Sequence, residues 1–269
     1  MIIELMDGRQ LDIANYSLKR LKHYIPSIAV SNFTDVVDGR DGNVFLESTF
    51  DSRTIRVELL YDSYDIEDYY TIRDEVNALF VRKQPFYIIF KAEPYKRYKV
   101  RLSGSFELEP DQHMDSFIVN FICEDLFAES IATTKSIKDW DSGVWGWNGA
   151  ITWDEDLKYS FNSNSFTVYN LGNVNIDPRQ SFLEIAIKGS FASQVTITNQ
   201  TTGETYTFNG NLSPSDTLLL KGIQSFKNGT SVFRNTNKKL ISLNTGDNNF
   251  TVTGGTISSI DFDFRFLYM

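Results

Sequence analysis

The tightest constraint lies near the end of the chain, where Ile260, Phe262, Phe264 and Phe266 alternate with Asp261, Asp263 and Arg265. A period of two scatters these apolar side chains around a helix but puts them on one face of a pleated strand. Such a strand has one dry face, so it needs sheet neighbours and a second layer to cover it. The same pattern runs through the second half of the chain. Leu183, Ile185 and Ile187 alternate, and Val195 to Thr198 and Thr205 to Phe208 flank a loop containing Gly203, a hairpin signature. Asn209-Gly210, Asn228-Gly229 and Gly254-Gly255 read as turns dividing further strands. Aromatics are 14% of the chain, with 21 Phe and 13 Tyr, which suits pleated packing. The second half is therefore expected to be an antiparallel β-sandwich with little helix.

The first half mixes strands with one helix. Phe33 to Val37 and Val44 to Phe50 read as strands joined through Asp38-Gly39-Arg40-Asp41-Gly42, which holds two Asp-Gly turn signals. Thr54 to Tyr61 alternates. Tyr69, Ile72, Val76, Leu79 and Phe80 then recur at helical spacing behind Asp65, a capping residue, and Glu67 and Asp68 suit the first turn. The spacing predicts a helix over 66–81. Strands are expected at 87–90, 98–108 and 117–123. Thr133 to Asp156 is polar, Trp-rich and irregular, so two domains are expected, residues 1–134 and 135–269.

Charge is uneven between these halves. The chain carries a net −9; residues 1–134 hold 15 Lys and Arg against 23 Asp and Glu, a net −8. An acidic chain repels free nucleic acid on average. No apolar run approaches the ~20 residues of a membrane span, and the start, MIIELMDGRQ, lacks a secretion signal. A soluble protein without membrane attachment is expected.

No catalytic constellation emerges. One Cys and two His leave little for a zinc site or a disulfide framework. His23 and His113 stand in polar stretches and read as ordinary surface or loop residues, and Cys123 as a small buried hydrophobe on the 117–123 strand. The 38–43 segment is a poor calcium loop, because Arg40 and Gly42 occupy positions that must supply oxygen ligands. Neither cofactor nor metal is expected. Arg97, Lys99 and Arg101 alternate with Tyr98, Val100 and Leu102, which reads as the outward face of one strand rather than a nucleic-acid strip. Trp140, Trp145, Trp147 and Trp153 either pin the segment between the domains or, in the case of Trp145, Trp147 and Trp153, stack against sugar rings.

Several motifs keep their order over nearly the whole chain: Asp38-Gly39-Arg40-Asp41-Gly42, then Ser48-Thr49-Phe50-Asp51-Ser52-Arg53-Thr54-Ile55, the 66–81 helix, the 98–108 strand with Gly104, and Phe121-Ile122-Cys123-Glu124-Asp125-Leu126-Phe127-Ala128. Val168-Tyr169-Asn170-Leu171-Gly172, Thr198 to Gly203, Asn228-Gly229-Thr230 and Phe266-Leu267-Tyr268 follow in the second half. In this the chain resembles the distal tail protein (Dit) family of siphophages, also called the siphovirus tail component family; Leu126 stands where that family often has Pro.

The resemblance implies a mainly β fold. It combines an N-terminal ring-forming β-domain, with one helix and a hairpin arm, and a C-terminal galectin-like or carbohydrate-binding-module-like antiparallel β-sandwich. It further implies a non-enzymatic hub at the distal end of the virion tail. Six copies would form a ring between the tail tube protein and the tail-tip or tail-associated lysin protein. Receptor-binding proteins are further partners, and DNA is in contact only in passage through a central channel. Such a protein is made in the bacterial host cytoplasm or encoded by a prophage. Gly39, Arg40, Asp41 and Gly42 would then lie on the arm that embraces the next subunit. The alternative is a carbohydrate-binding protein recognising host cell-wall glycans through its C-terminal domain.

Overall fold

A computed structural model of the chain describes residues 1–110, 114–136 and 157–269. These form two compact units, Met1–Ala128 with Met269, and Glu129–Tyr268. Both are mainly β, and the single α-helix among the described residues belongs to the first.

In the first unit the strands are β1 (Ile2–Glu4), β2 (Gln10–Asp12), β3 (Leu18–Tyr24), β4 (Ala29–Asp35), β5 (Val44–Asp51) and β6 (Arg53–Asp62). Helix α1 (Ile66–Phe80) follows, then β7 (Phe86–Ile89), β8 (Lys96–Leu102) and β9 (Met114–Cys123), while a short β10 (Ala128–Ser130) starts at the last residue of this unit and continues into the second. Seven of these lie in the order β2-β1-β7-β8-β9-β6-β3, while β4 and β5 pair only with each other. Alternation on β6 buries Ile55, Val57, Leu59 and Tyr61, and α1 covers them with Tyr69, Ile72, Val76, Leu79 and Phe80. The helix begins where Asp65 accepts a hydrogen bond from the Asp68 amide at 2.8 Å. The Asp68 carboxylate in turn accepts from the Tyr64 amide at 2.9 Å, a reciprocal cap that satisfies two otherwise unpaired donors.

The strand expected over 98–108 ends at Leu102. Ser103 donates to the Asn120 carbonyl at 2.8 Å, and Gly104 takes a left-handed φ of +74°, which turns the chain out of the sheet. Residues 103–110 then lie against α1. Tyr69 Oη donates to the Leu108 carbonyl at 2.8 Å, and Phe106 packs edge-on to Phe80.

The second unit contains β11 (Ser160–Phe161), β12 (Ser165–Asn170), β13 (Leu183–Asn199), β14 (Glu204–Asn209) and β15 (Leu218–Lys221). It continues with β16 (Gln224–Lys227), β17 (Thr230–Ser231), β18 (Gly246–Phe264) and β19 (Leu267–Tyr268). The long β13 and β18 pair antiparallel along most of their length. Their halves serve different neighbours: the first half of β13 pairs with β15 and the second with β14, while β12 pairs with the first half of β18. Register breaks at Lys188/Gly189 and Phe191/Thr196 let both strands bend, the usual device by which a strand passes from one layer to another. One continuous core, including Ile187, Val195, Phe208, Phe250 and Phe262, fills the space between.

Gly254-Gly255, expected to divide two strands, sits inside β18 at this bend. Gly254 has φ +101°, and a Cβ on Gly255 would lie 2.1 Å from the Ser190 carbonyl oxygen and 2.7 Å from the Phe191 ring. The glycines permit close approach there instead of a turn. Asn228-Gly229 is a true turn between β16 and β17, with φ of 49° and 81°, as a two-residue hairpin connection requires.

Candidate assembly surface

Among the described residues, β4 and β5 form a hairpin that pairs with no other strand, and nearly all of its side chains are exposed. Its register runs from Ala29 opposite Asp51 to Asp35 opposite Val44, broken by a bulge between Phe33 and Thr34. The expectation started the first strand at Phe33; pairing begins four residues earlier, at Ala29. The tip is the 38–42 segment, where Gly39 and Gly42 adopt φ of +79° and +81° and the Arg40 amide donates to the Val37 carbonyl at 3.1 Å. Gly39, Arg40, Asp41 and Gly42 are all exposed. Side-chain bonds between Ser31 and Asp51, and between Ser48 and Asn32, tie the two strands together.

What distinguishes this hairpin is its apolar content in water. Val30 is 51% exposed, Phe45 61% and Leu46 59%, with Phe33 and Phe50 each 49% exposed. Val30 lies directly opposite Phe50, so the two make a cross-strand apolar pair that is half exposed. A two-stranded sheet of this kind is marginal by itself, and its backbone edges and apolar side chains are free to bind. These apolar positions carry the surface, and attention to the turn glycines alone passes over them. The readable signal was Val44-Phe45-Leu46, three consecutive apolar residues of which strict alternation must leave at least one in water.

At the root of the hairpin Arg53 is buried, its guanidinium 5.4 Å from the centre of the Tyr98 ring. Burial pushes the neighbouring Cys123 thiol up, against the opposing pull of Arg53. A buried thiol with a raised pKa is a poor nucleophile.

The basic strip on β8 differs in detail from the expected solvated face. Arg97 is buried, paired with Glu4 and stacked 3.9 Å from the centre of the Tyr87 ring. It points away from water because the strand is covered on that side too, a condition alternation does not encode. Lys99 pairs with Asp125 at 2.9 Å, Arg101 with Glu124, and Lys96 with Glu93 at 3.1 Å. Each cation has its own carboxylate, so the strip offers no excess positive charge to phosphates.

His23 lies on β3 rather than in a loop. It stacks on Phe90 with ring centroids 4.1 Å apart, and its Nδ1 is 2.6 Å from Arg20. Burial first, then the Arg20 charge, holds its pKa below the ordinary value, which favours the neutral ring. His113, Trp140, Trp145, Trp147 and Trp153 lie outside the described residues. Among the described residues no group of three or more His, Cys, Asp or Glu side chains is placed to hold a metal ion. No described helix is long and apolar enough to cross a membrane.

Comparison with known proteins supplies a context for these features. The phage tail protein RIFT-related domain matches residues 11–123, a stretch that contains the hairpin, α1 and the seven-strand order except β1 and the first residue of β2. No curated protein matches by sequence. Among solved structures, that of phage SPP1 Dit superposes with a TM-score of 0.72 at 16% identity, covering 98% of both chains. That protein is described as a paradigm of the hub adsorption apparatus in phages infecting Gram-positive bacteria. Two structures of the phage P2 baseplate in its activated conformation, with Ca and with Sr, align at 14% and 15% identity over 98% of this chain. Their coverage is 97% and 96% and their TM-score 0.47, too loose a likeness to support an argument. Residues 11–123 thus match the phage tail protein RIFT-related domain, and the chain as a whole has the fold of the SPP1 Dit structure.

Proposed function

We propose that the chain is a structural protein of the distal phage tail, not an enzyme. In this reading the first domain, residues 1–134, assembles with copies of itself into a six-membered hub. One face of the hub meets the tail tube protein. The other meets the tail-tip or tail-associated lysin protein, and DNA passes through the centre. The second domain, residues 135–269, is a galectin-like sandwich free to carry receptor-binding partners. A ring needs a heterologous contact, in which one patch on each copy meets a different patch on the next.

The observation that carries the reading is the β4–β5 hairpin. Its apolar side chains are about half exposed on both strands, and among the described residues no other strand pairs with it. An isolated chain would expose this surface to aggregation; an assembled one would bury it. The large acidic excess of residues 1–134 also suits a wall past which DNA slides without binding.

Light scattering on a sizing column, over a concentration series, tests the proposal. Six copies of a 30.8 kDa chain weigh about 185 kDa, and negative-stain images of that peak should show rings with a central hole. Replacing both Gly39 and Gly42 by Val forces β-branched residues into left-handed backbone, at roughly 1–2 kcal/mol each, and should distort the tip and lower the assembled fraction. Unchanged mass in that variant would remove the tip from the contact.

A further inference from the structure

A head-to-tail ring needs a receiving surface as well as an arm, and the two differ. The outward face of β3 and β6 has the complementary character. β3 ends the seven-strand order, so among the described residues one of its edges has no strand partner. Register places Lys22 opposite Glu58, Tyr24 opposite Arg56 and Lys19 opposite Leu60, on the side of the sheet away from Val57 and Leu59. Lys19, Lys22, Tyr24 and Arg56 are exposed there, and Arg56 rests 5.7 Å from the centre of the Tyr24 ring.

The cations on this face differ from those of the β8 strip, and Glu58 is the acidic neighbour of Lys22 on it. Each cation of the β8 strip has a carboxylate partner, whereas among the described residues Lys19, Lys22 and Arg56 form no ion pair. The hairpin has the reverse composition: Asp35, Asp38, Asp41, Glu47 and Asp51 against Arg40 alone. None of these five carboxylates forms an ion pair among the described residues either. Both surfaces also expose apolar or aromatic groups, Phe45 and Phe50 on one and Tyr24 on the other.

We propose that the acidic, apolar hairpin of one copy docks on the basic outward face of β3–β6 of a second copy. This rests on the assembly reading above and adds the acceptor. The rim charges would set orientation and speed of encounter, and the apolar pairs would hold the contact. The contact requires only two copies, so the free chain should already self-associate, less strongly as salt screens the rim.

The test uses the full chain and three variants, measured by light scattering over a concentration series. The first is Lys19→Glu with Lys22→Glu and Arg56→Glu, which reverses the acceptor. The second is Asp38→Lys with Asp41→Lys and Glu47→Lys, which reverses the hairpin. The third combines both sets. All six positions are solvent-facing, so thermal unfolding should match the parent chain. Each single set should raise the concentration for half-assembly at least ~10-fold, and the combination should return it to within ~3-fold of the parent. If hairpin reversal abolishes assembly while acceptor reversal leaves it intact, the arm stands and this acceptor is wrong. If neither matters, both readings fail. A combination no better than either set alone contradicts direct pairing, and a parent chain monomeric at every concentration contradicts the contact itself.

Discussion

In the β13–β14 hairpin, Val195 faces Phe208 and Ile197 faces Tyr206 across the strands, and all four are buried in the core of the second unit. In the β4–β5 hairpin, Val30 faces Phe50 and Thr34 faces Phe45, yet Val30, Phe45 and Phe50 are about half exposed. Local chemistry is similar: alternation, β-branched and aromatic residues, and a loop containing glycine. The difference is whether the same chain supplies the second layer. Strand formation is therefore a local matter, while burial depends on what else packs against the strand. Under the proposed assembly, the second layer over β4 and β5 comes from another copy.

This contrast predicts opposite responses to truncating aromatics in the two regions. Phe262→Ala removes a fully buried ring and should lower the stability of the second unit by about 3–5 kcal/mol, read from a urea titration, with the first unit's assembly intact. Gly255→Val drives a side chain into the Ser190 carbonyl and the Phe191 ring at the bend and should cost about 3 kcal/mol in the same titration. If the bend relaxes without loss, β13 and β18 are not locked together there.

Phe45→Ser with Phe50→Ser should do the reverse. Folding stability should move by less than ~0.5 kcal/mol, because the rings are exposed in the free chain. The concentration for half-assembly should nevertheless rise at least ~10-fold. Loss of folding in this variant would mean the hairpin is part of the core after all.

The smallest effect concerns pH. The Asp216 carboxylate accepts from the Ser213 amide at 2.9 Å, from Asn228 at 2.7 Å and from the Ser213 hydroxyl at 2.8 Å, with Lys227 at 3.2 Å. These bonds, the Ser213 amide first, hold its pKa well below the ordinary carboxylate value. A depressed carboxyl stabilises the fold above the unfolded value of ~4 and loses that contribution as pH falls from there toward the folded value. Asp216→Asn should flatten this part of the acid limb in the second unit, and leave assembly through the first unit unchanged.

Much of this architecture was legible in the chain. The helix cap at Asp65, the five buried positions of α1 and the inward aromatics of β18 follow from periodicity, which is local. Periodicity failed where a feature depends on distant atoms. Arg97 is buried because Glu4 and Tyr87 meet it from other strands, and Gly254-Gly255 is a bend because Ser190 and Phe191 lie against it. The candidate surface was half legible: turn chemistry located its tip at Gly39 to Gly42, while its apolar sides needed the knowledge that, among the described residues, no other strand pairs with β4 and β5.

Hydrogen exchange of the β4–β5 amides, followed as protein concentration rises through the assembly range, tests the central claim most directly. If a second copy covers the hairpin, its amides should exchange rapidly in the dilute chain and slow as assembly proceeds, while those of β13 and β14 keep their protection throughout. Hairpin amides that exchange at the same rate in the monomer and in the assembled state would contradict the account.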